Sequence, residues 1–225
     1  MSQCLFSVLC TRLLVLCLTA VLFGACGNVR TTPHMVGTDS AGLQPTVKDK
    51  DAVLVGTAGD VDVGRYKAIV VDRFTVADPG LDDEAAKQLA DTASRYLQEE
   101  FVRRLKDSGL FETVVAPPDV GPMTGTTLKL TGSMAEVQGG SRPKRFWIGF
   151  SAGRSRVEIH TRLLDAETGK PVVVTAVRRL NTLSEGPLAG YGPTNEDLVK
   201  DALRDSAEEY VRFLVRLARG QAPQM

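Results

Sequence analysis

Two stretches of the chain repeat apolar residues at helical spacing, and between and around them lie shorter runs that alternate or are apolar throughout. Leu89, Ala93, Leu97, Phe101 and Leu105 stand four residues apart, which puts them on one stripe of an amphipathic helix. Asp82, Asp83 and Glu84 mark its start, where the helix dipole favours anions, and Gly109 ends it. A second helix is predicted through Leu198, Val199, Ala202, Leu203, Ala207, Tyr210, Val211, Leu214 and Leu217. Thr194 and Asp197 supply a capping-box-like start, and Gly220 with Pro223 supplies the stop. Among the strands, Tyr66 to Phe74 contains Ala-Ile-Val-Val, apolar on both faces and hence mostly buried. Leu110 to Ala116 is the next, closed by Pro117-Pro118. Thr127 to Val137 puts Leu128, Leu130 and Met134 on one face, and Gly132 leaves room for a bulge. From Ser155 the alternation is strict: Ser155, Val157, Ile159, Thr161 and Leu163 point one way, and Arg154, Arg156, Glu158, His160 and Arg162 the other. Turn residues at 165–169 lead to a return strand from Pro171 to Leu180, and Ala52 to Thr57 can add a short edge strand.

This order predicts an α+β fold, a mixed, mostly antiparallel sheet of about five strands with two long amphipathic helices packed on one face. The strand, helix and strand around the first helix form a right-handed crossover. Residues 117–126 and 181–193 are loops rich in glycine and proline.

The amino-terminal pattern differs from the rest. After Arg12 comes an apolar run through Phe23, then Gly24 and Ala25 before Cys26, the layout of a signal peptide over residues 1–25. The run is too short to span a bilayer, and extending it backwards meets Arg12. All four cysteines lie within the first 26 residues, so no disulfide framework supports the folded part. Phe23-Gly24-Ala25-Cys26 resembles the lipobox of bacterial lipoproteins, with Phe23 where that pattern prefers leucine. The resemblance implies cleavage before Cys26 and its acylation, which anchors the chain in a lipid bilayer. Gly27 follows the cysteine where aspartate would favour retention in an inner membrane, so the same analogy implies an outer-membrane anchor facing the periplasm. Residues 26–60, rich in Gly, Thr, Asp and Pro, read as the lipidated cysteine and a flexible tether. A single domain is expected over 61–220, with a tail at 221–225.

Charge adds little globally. The 27 basic and 27 acidic residues balance, so no overall field points to nucleic acid or an acidic substrate. Locally, Arg142, Lys144, Arg145, Arg154 and Arg156 surround Phe146, Trp147 and Phe150 with no acidic residue among them. Arg142, Arg145, Phe146, Trp147, Phe150 and Arg154 are the candidate partner-binding residues, since arginine and aromatic side chains supply contact energy at interfaces. The same residues also fit a cap on the sheet's core with solvated cations, and an anionic headgroup, or a glycan such as a peptidoglycan fragment bound through Trp147, is an alternative ligand. A basic-aromatic segment also suits single-stranded nucleic acid, but the leader places the domain in another compartment.

Gly149-Phe150-Ser151-Ala152-Gly153 matches the nucleophile elbow of hydrolases. Its context is wrong: a strand follows, not a helix, and the one downstream histidine, His160, lies on that strand. No metal set or phosphate-binding loop is evident, and no cofactor is expected. The reading is non-enzymatic, with a serine hydrolase on Ser151 as the remote alternative.

Arg142, Arg145-Phe-x-x-Gly149-Phe-x-Ala-Gly153, Val157-x-Ile159 and Asp165-Ala-x-Thr-Gly169, with Gly109-Leu-Phe-x-x-Val114 upstream, resemble an uncharacterised bacterial lipoprotein domain family. The likeness covers about residues 66–217; Ser151 departs from it where another glycine is expected. The family looks related to helix-on-sheet periplasmic modules such as the TolB N-terminal domain, the curli secretion lipoprotein and penicillin-binding-protein activator lipoproteins. These bind or assemble, and the resemblance implies an accessory role in envelope assembly or transport with an envelope protein as partner.

Overall fold

The computed structural model describes residues 27–31, 42–59, 61–76, 84–120, 126–138, 155–182 and 194–224. In them are strands β1 (Gly27–Thr31), β2 (Val47–Asp49), β3 (Val53–Thr57), β4 (Ala68–Val71), β5 (Thr75–Val76), β6 (Thr113–Val115), β7 (Thr127–Gln138), β8 (Ser155–Asp165) and β9 (Pro171–Thr182), and helices α1 (Glu84–Ser108) and α2 (Asn195–Ala218).

All nine strands belong to one sheet in the order β2-β3-β9-β8-β7-β4-β6. β1 shares the outer edge of β9 with β3: β3 pairs residues 173–176 and β1 pairs residues 178–182. On the other side β5 continues the line of β4 along β7. β7, β8 and β9 form an antiparallel meander, whereas β4 pairs parallel with both β6 and β7. The predicted α+β class and the predominance of antiparallel pairing hold, and α1 joins the parallel pair β4 and β6 as a crossover must.

The expected number of strands was about five, and the described residues hold nine. The difference lies in short pieces. Tyr66 to Phe74 is not one strand: β4 ends at Val71 and β5 begins at Thr75, with the Phe74 ring turned into the core. β1 and β2 lie where a tether was expected over 26–60, in sequence that lacks any apolar alternation. β9 is long enough that its outer edge accepts two short strands in line, and an edge left bare would be open to unwanted pairing.

The helix stripes bury as their periodicity predicts. Ala93, Leu97, Phe101 and Leu105 of α1, and Leu198 to Leu217 of α2, are inside, while Leu89 is half-buried. Thr194 and Asp197 form the capping box. The two helices run side by side in the same direction, as Tyr96 beside Lys200, Phe101 against Tyr210 and Arg104 beside Glu208 show. They share one core with the sheet face carrying Leu128, Leu130, Met134, Ile159 and Leu163. At its centre Phe74 stacks on Phe101 at 5.4 Å and Phe101 meets Tyr210 edge-on at 5.5 Å, arrangements that suit the ring quadrupoles.

Gly132 does not host the bulge. A Cβ there would collide with the His160 carbonyl oxygen and the Phe74 ring, so the residue is small because backbone and ring approach it closely. The irregularity falls between Met134 and Glu136, and it decides the composition of the sheet's other face.

Candidate functional site

Arg142, Arg145, Phe146, Trp147, Phe150 and Arg154, together with Ser151 and Cys26, lie outside the described residues. What the structure describes is the base from which the 139–154 segment departs. Gln138 ends β7, Ser155 begins β8, and Gln138 stands opposite Arg156. The two feet are therefore about one strand spacing apart, roughly 5 Å.

Below those feet lies an ionic network on the sheet face opposite the helices. Ser133 faces His160 and Met134 faces Ile159, after which Ala135 is skipped and Glu136 faces Glu158. In a regular register Glu136 would stand opposite Val157 and enter the core. The bulge moves it to the outer face and returns Val137 to the core, where it is buried. Two carboxylates directly opposite each other repel. Arg178, opposite Glu158 on β9, relieves the repulsion: its Nε and Nη2 donate to Glu136 Oε2 at 3.2 and 3.1 Å, and its Nε lies 3.7 Å from Glu158 Oε2. Arg156 adds a second cation 3.7 Å from Glu136. The imidazole of His160 reaches Glu158 Oε1 through Nε2 at 2.9 Å, and Nε2 carries the hydrogen wherever Glu158 is ionised, since a carboxylate only accepts.

The alternation of β8 places Glu158 and His160 on the polar face, as the sequence predicts, but that face is not solvated here. Glu158 is 1% exposed, and His160 and Arg178 are each 8% exposed. Such a network holds its buried members, Glu158, His160 and Arg178, rigidly, because they have lost water and depend on their neighbours. It does not form a metal cage: the guanidinium sits between the two carboxylates, and among the described residues no group of three or more His, Cys, Asp or Glu is arranged to hold an ion. A lone Glu136 or Arg178 carries no sequence signal; only the bulge and the strand order bring them together.

On the helix side the charges fasten the outer strands. Arg179, 3% exposed, donates from Nε to Ser206 Oγ at 2.8 Å and pairs with Glu209 of α2. Arg30 of β1 lies 3.6 Å from the same carboxylate and donates to the Lys50 carbonyl oxygen. Burial lowers the pKa of Arg179 and raises that of Glu209, with their mutual attraction opposing both shifts. At the β2–β3 turn, Arg216 of α2 grips Asp49 and Asp51.

A cleft of about 570 Å³ lies between the carboxyl-terminal halves of α1 and α2 and the β2–β3 turn. Val211 and Val215 line it, and its charges are largely paired, Arg104 with Glu208 at 2.7 Å and Arg212 with Glu208 at 2.7 Å. Cations there complement the negative ends of two helix dipoles, which accounts for their presence without a ligand. Among the described residues no helix is long and apolar enough to cross a membrane.

Residues 69–179 match a family model described as a domain of unknown function, DUF4410. No curated protein matches the chain. Among solved structures it is similar to the PelC dodecamer from Paraburkholderia phytofirmans at 15% identity and a TM-score of 0.39, over 68% of this chain and 96% of that one. It is similar to protein XCC0632 from Xanthomonas campestris, of the DUF330 family model, at 15% identity and a TM-score of 0.40, over 69% and 87%. A candidate lipoprotein from Caulobacter crescentus matches at 18% identity and a TM-score of 0.35, over 65% and 92%.

Proposed function

We propose that this protein is a lipid-anchored, non-enzymatic module of the bacterial cell envelope, held in the outer membrane through acylated Cys26 and facing the periplasm. It acts as a binding or accessory component in envelope assembly or transport. The observation that carries the binding role is the base of the 139–154 segment. A connection of that length between two central antiparallel strands is far beyond the two to five residues of ordinary hairpins, and long connections on rigid scaffolds tend to be functional. Its feet are held in register by β7 and β8, and the Glu136–Arg178–Glu158 network stiffens the strands just below. The segment's own composition, arginines beside Phe146, Trp147 and Phe150, suits a docking surface. The resemblance of its motifs to an uncharacterised lipoprotein domain family, which in turn looks related to periplasmic modules that bind or assemble, is consistent with the same reading.

The test is photo-crosslinking in cells from a probe at Trp147 and another at Arg156, with a third at Glu167 beyond the opposite end of β8. A discrete adduct from the first two and none from the third is expected. Adducts only from Glu167, or none from any site in folded protein, would remove the 139–154 surface from the proposal. Labelling of the wild type by a fluorophosphonate, lost in Ser151→Ala, would overturn the non-enzymatic reading.

A further inference from the structure

β1 leaves no length of free chain between the proposed anchor and the sheet. Gly27, the residue after Cys26, already stands opposite Thr182 in the β1–β9 ladder. Consecutive Cα atoms are about 3.8 Å apart, so the acylated residue is one peptide unit from a hydrogen-bonded strand. A free tether of some thirty residues would have a reach of about 30 Å and would set no orientation. One peptide unit has neither property.

The register then says which part of the fold meets the bilayer. Gly27 faces Thr182, the neighbouring Asn181 faces Ser155, and Arg156 faces Gln138. These residues line one end of the sheet across β1, β9, β8 and β7, a row three strand spacings wide, about 15 Å. The other end, at the Asp165–Lys170 turn, lies the length of β8 away, roughly 35 Å. β1 is fastened on its side-chain face as well as by its ladder, since Arg30 pairs with Glu209 of α2 and bonds the Lys50 carbonyl.

We infer that the sheet end formed by Gly27, Thr182, Ser155 and Gln138 faces the lipid surface, so that the domain is held over the bilayer at a set orientation instead of hanging from a tether. The inference rests on acylation of Cys26 and deepens the proposed function: the strands on either side of the 139–154 segment open toward the membrane, and a partner reached from that end is one at the bilayer surface. The Asp165–Lys170 turn points into the periplasm.

Depth-dependent fluorescence quenching tests it. The full chain is produced in a host that acylates lipoproteins, purified and reconstituted into phosphatidylethanolamine–phosphatidylglycerol vesicles carrying a headgroup nitroxide. Leader cysteines are removed by processing and Cys26 is capped by lipid, so Arg156→Cys, Leu180→Cys and Glu167→Cys each carry one thiol for a fluorophore. Quenching at 156 and 180 is expected to exceed that at 167 about threefold or more, because about 30 Å separates the two sets. Leu180→Cys serves as a second near site if Arg156→Cys disturbs the ion pairs. Equal quenching, or stronger quenching at 167, in protein that floats with the vesicles overturns the orientation. Flotation reports the anchor separately: wild type that fails to float, or Cys26→Ala that still floats, overturns the lipidation reading and the inference with it. A flexible Gly-Ser insertion between Cys26 and Gly27 should leave flotation intact and bring the ratio close to one. A ratio unchanged by the insertion would show that the β1 junction does not set the orientation.

Discussion

Arg178 Nη2 lies 3.1 Å from Glu136 Oε2 although their strands, β9 and β7, are not neighbours. The pair spans β8, and Glu158 of the intervening strand lies under it, 3.7 Å from Arg178 Nε. One guanidinium therefore ties three strands together at the level where the bulge interrupts the β7–β8 ladder. Removing it would leave two facing carboxylates without their shared cation. Arg178→Met should cost about 3 kcal/mol or more in urea unfolding. Adding Glu136→Gln and Glu158→Gln should restore part of the loss, because the repulsion goes with the charges. A loss below about 1 kcal/mol would mean that the network is as well solvated as a surface pair.

Asp49 links stability to acid. Its carboxylate accepts from Arg216 Nη2 at 2.7 and 3.0 Å and from the backbone N–H groups of Asp51, Ala52 and Gln224 at 2.8, 3.1 and 2.8 Å. Burial alone would raise its pKa, but these donors outweigh it and hold the carboxyl below the ordinary value of 3.8. A depressed folded value means that the stabilisation is fully present above the unfolded value and is lost as pH falls through the folded one. Asp49→Asn should cost about 2 kcal/mol at pH 7. Its gap from the wild type should close as pH falls below 3.8, read by urea unfolding at both ends. A gap that persists in strong acid would assign the loss to packing.

Gly132→Ala tests the close approach of Phe74 and the His160 carbonyl. The added methyl has no space between a ring and a central strand, so the backbone or the stacked Phe74–Phe101 pair must shift. A loss of about 3 kcal/mol is expected, with reduced near-ultraviolet dichroism from the displaced rings. A variant as stable as the wild type would show that the ring can move at no cost.

Arg30 tests how β1 is held. Its side chain is 40% exposed, and such a pair contributes little to global stability, so Arg30→Ala should lower it by less than about 1 kcal/mol. Amide exchange of residues 27–31 should nevertheless quicken, because a terminal strand opens locally without global unfolding. Unchanged exchange there would mean that the β9 ladder alone retains the strand.

Much of this architecture is legible in the chain. The stripe from Leu89 to Leu105 and that from Leu198 to Leu217 specify two helices, and Leu128, Leu130, Met134, Ile159 and Leu163 specify the core face of the central strands. Thr194 and Asp197 predict their cap. Each is a local pattern whose period is the geometry of the element itself. β1 and β2 leave no such trace, since a short edge strand is held by its partner's unpaired edge and needs no alternation of its own. The burial of Glu158 and His160 is equally silent, because alternation says which face a residue takes and not what lies over it. The segment that the sequence marks most strongly, 139–154, lies outside the described residues, and what the structure adds is the footing at its base.

By itself, then, the sequence determined the helices, the core strands and their faces, because periods of 3.6 and 2 are written in neighbouring residues. Only the tertiary structure decided that Ala135 is skipped, that Glu136 and Arg178 meet across β8, and that Gly27 is already part of the sheet. Register and edge pairing depend on which distant strand offers free hydrogen-bonding groups, and no run of neighbouring residues encodes that choice.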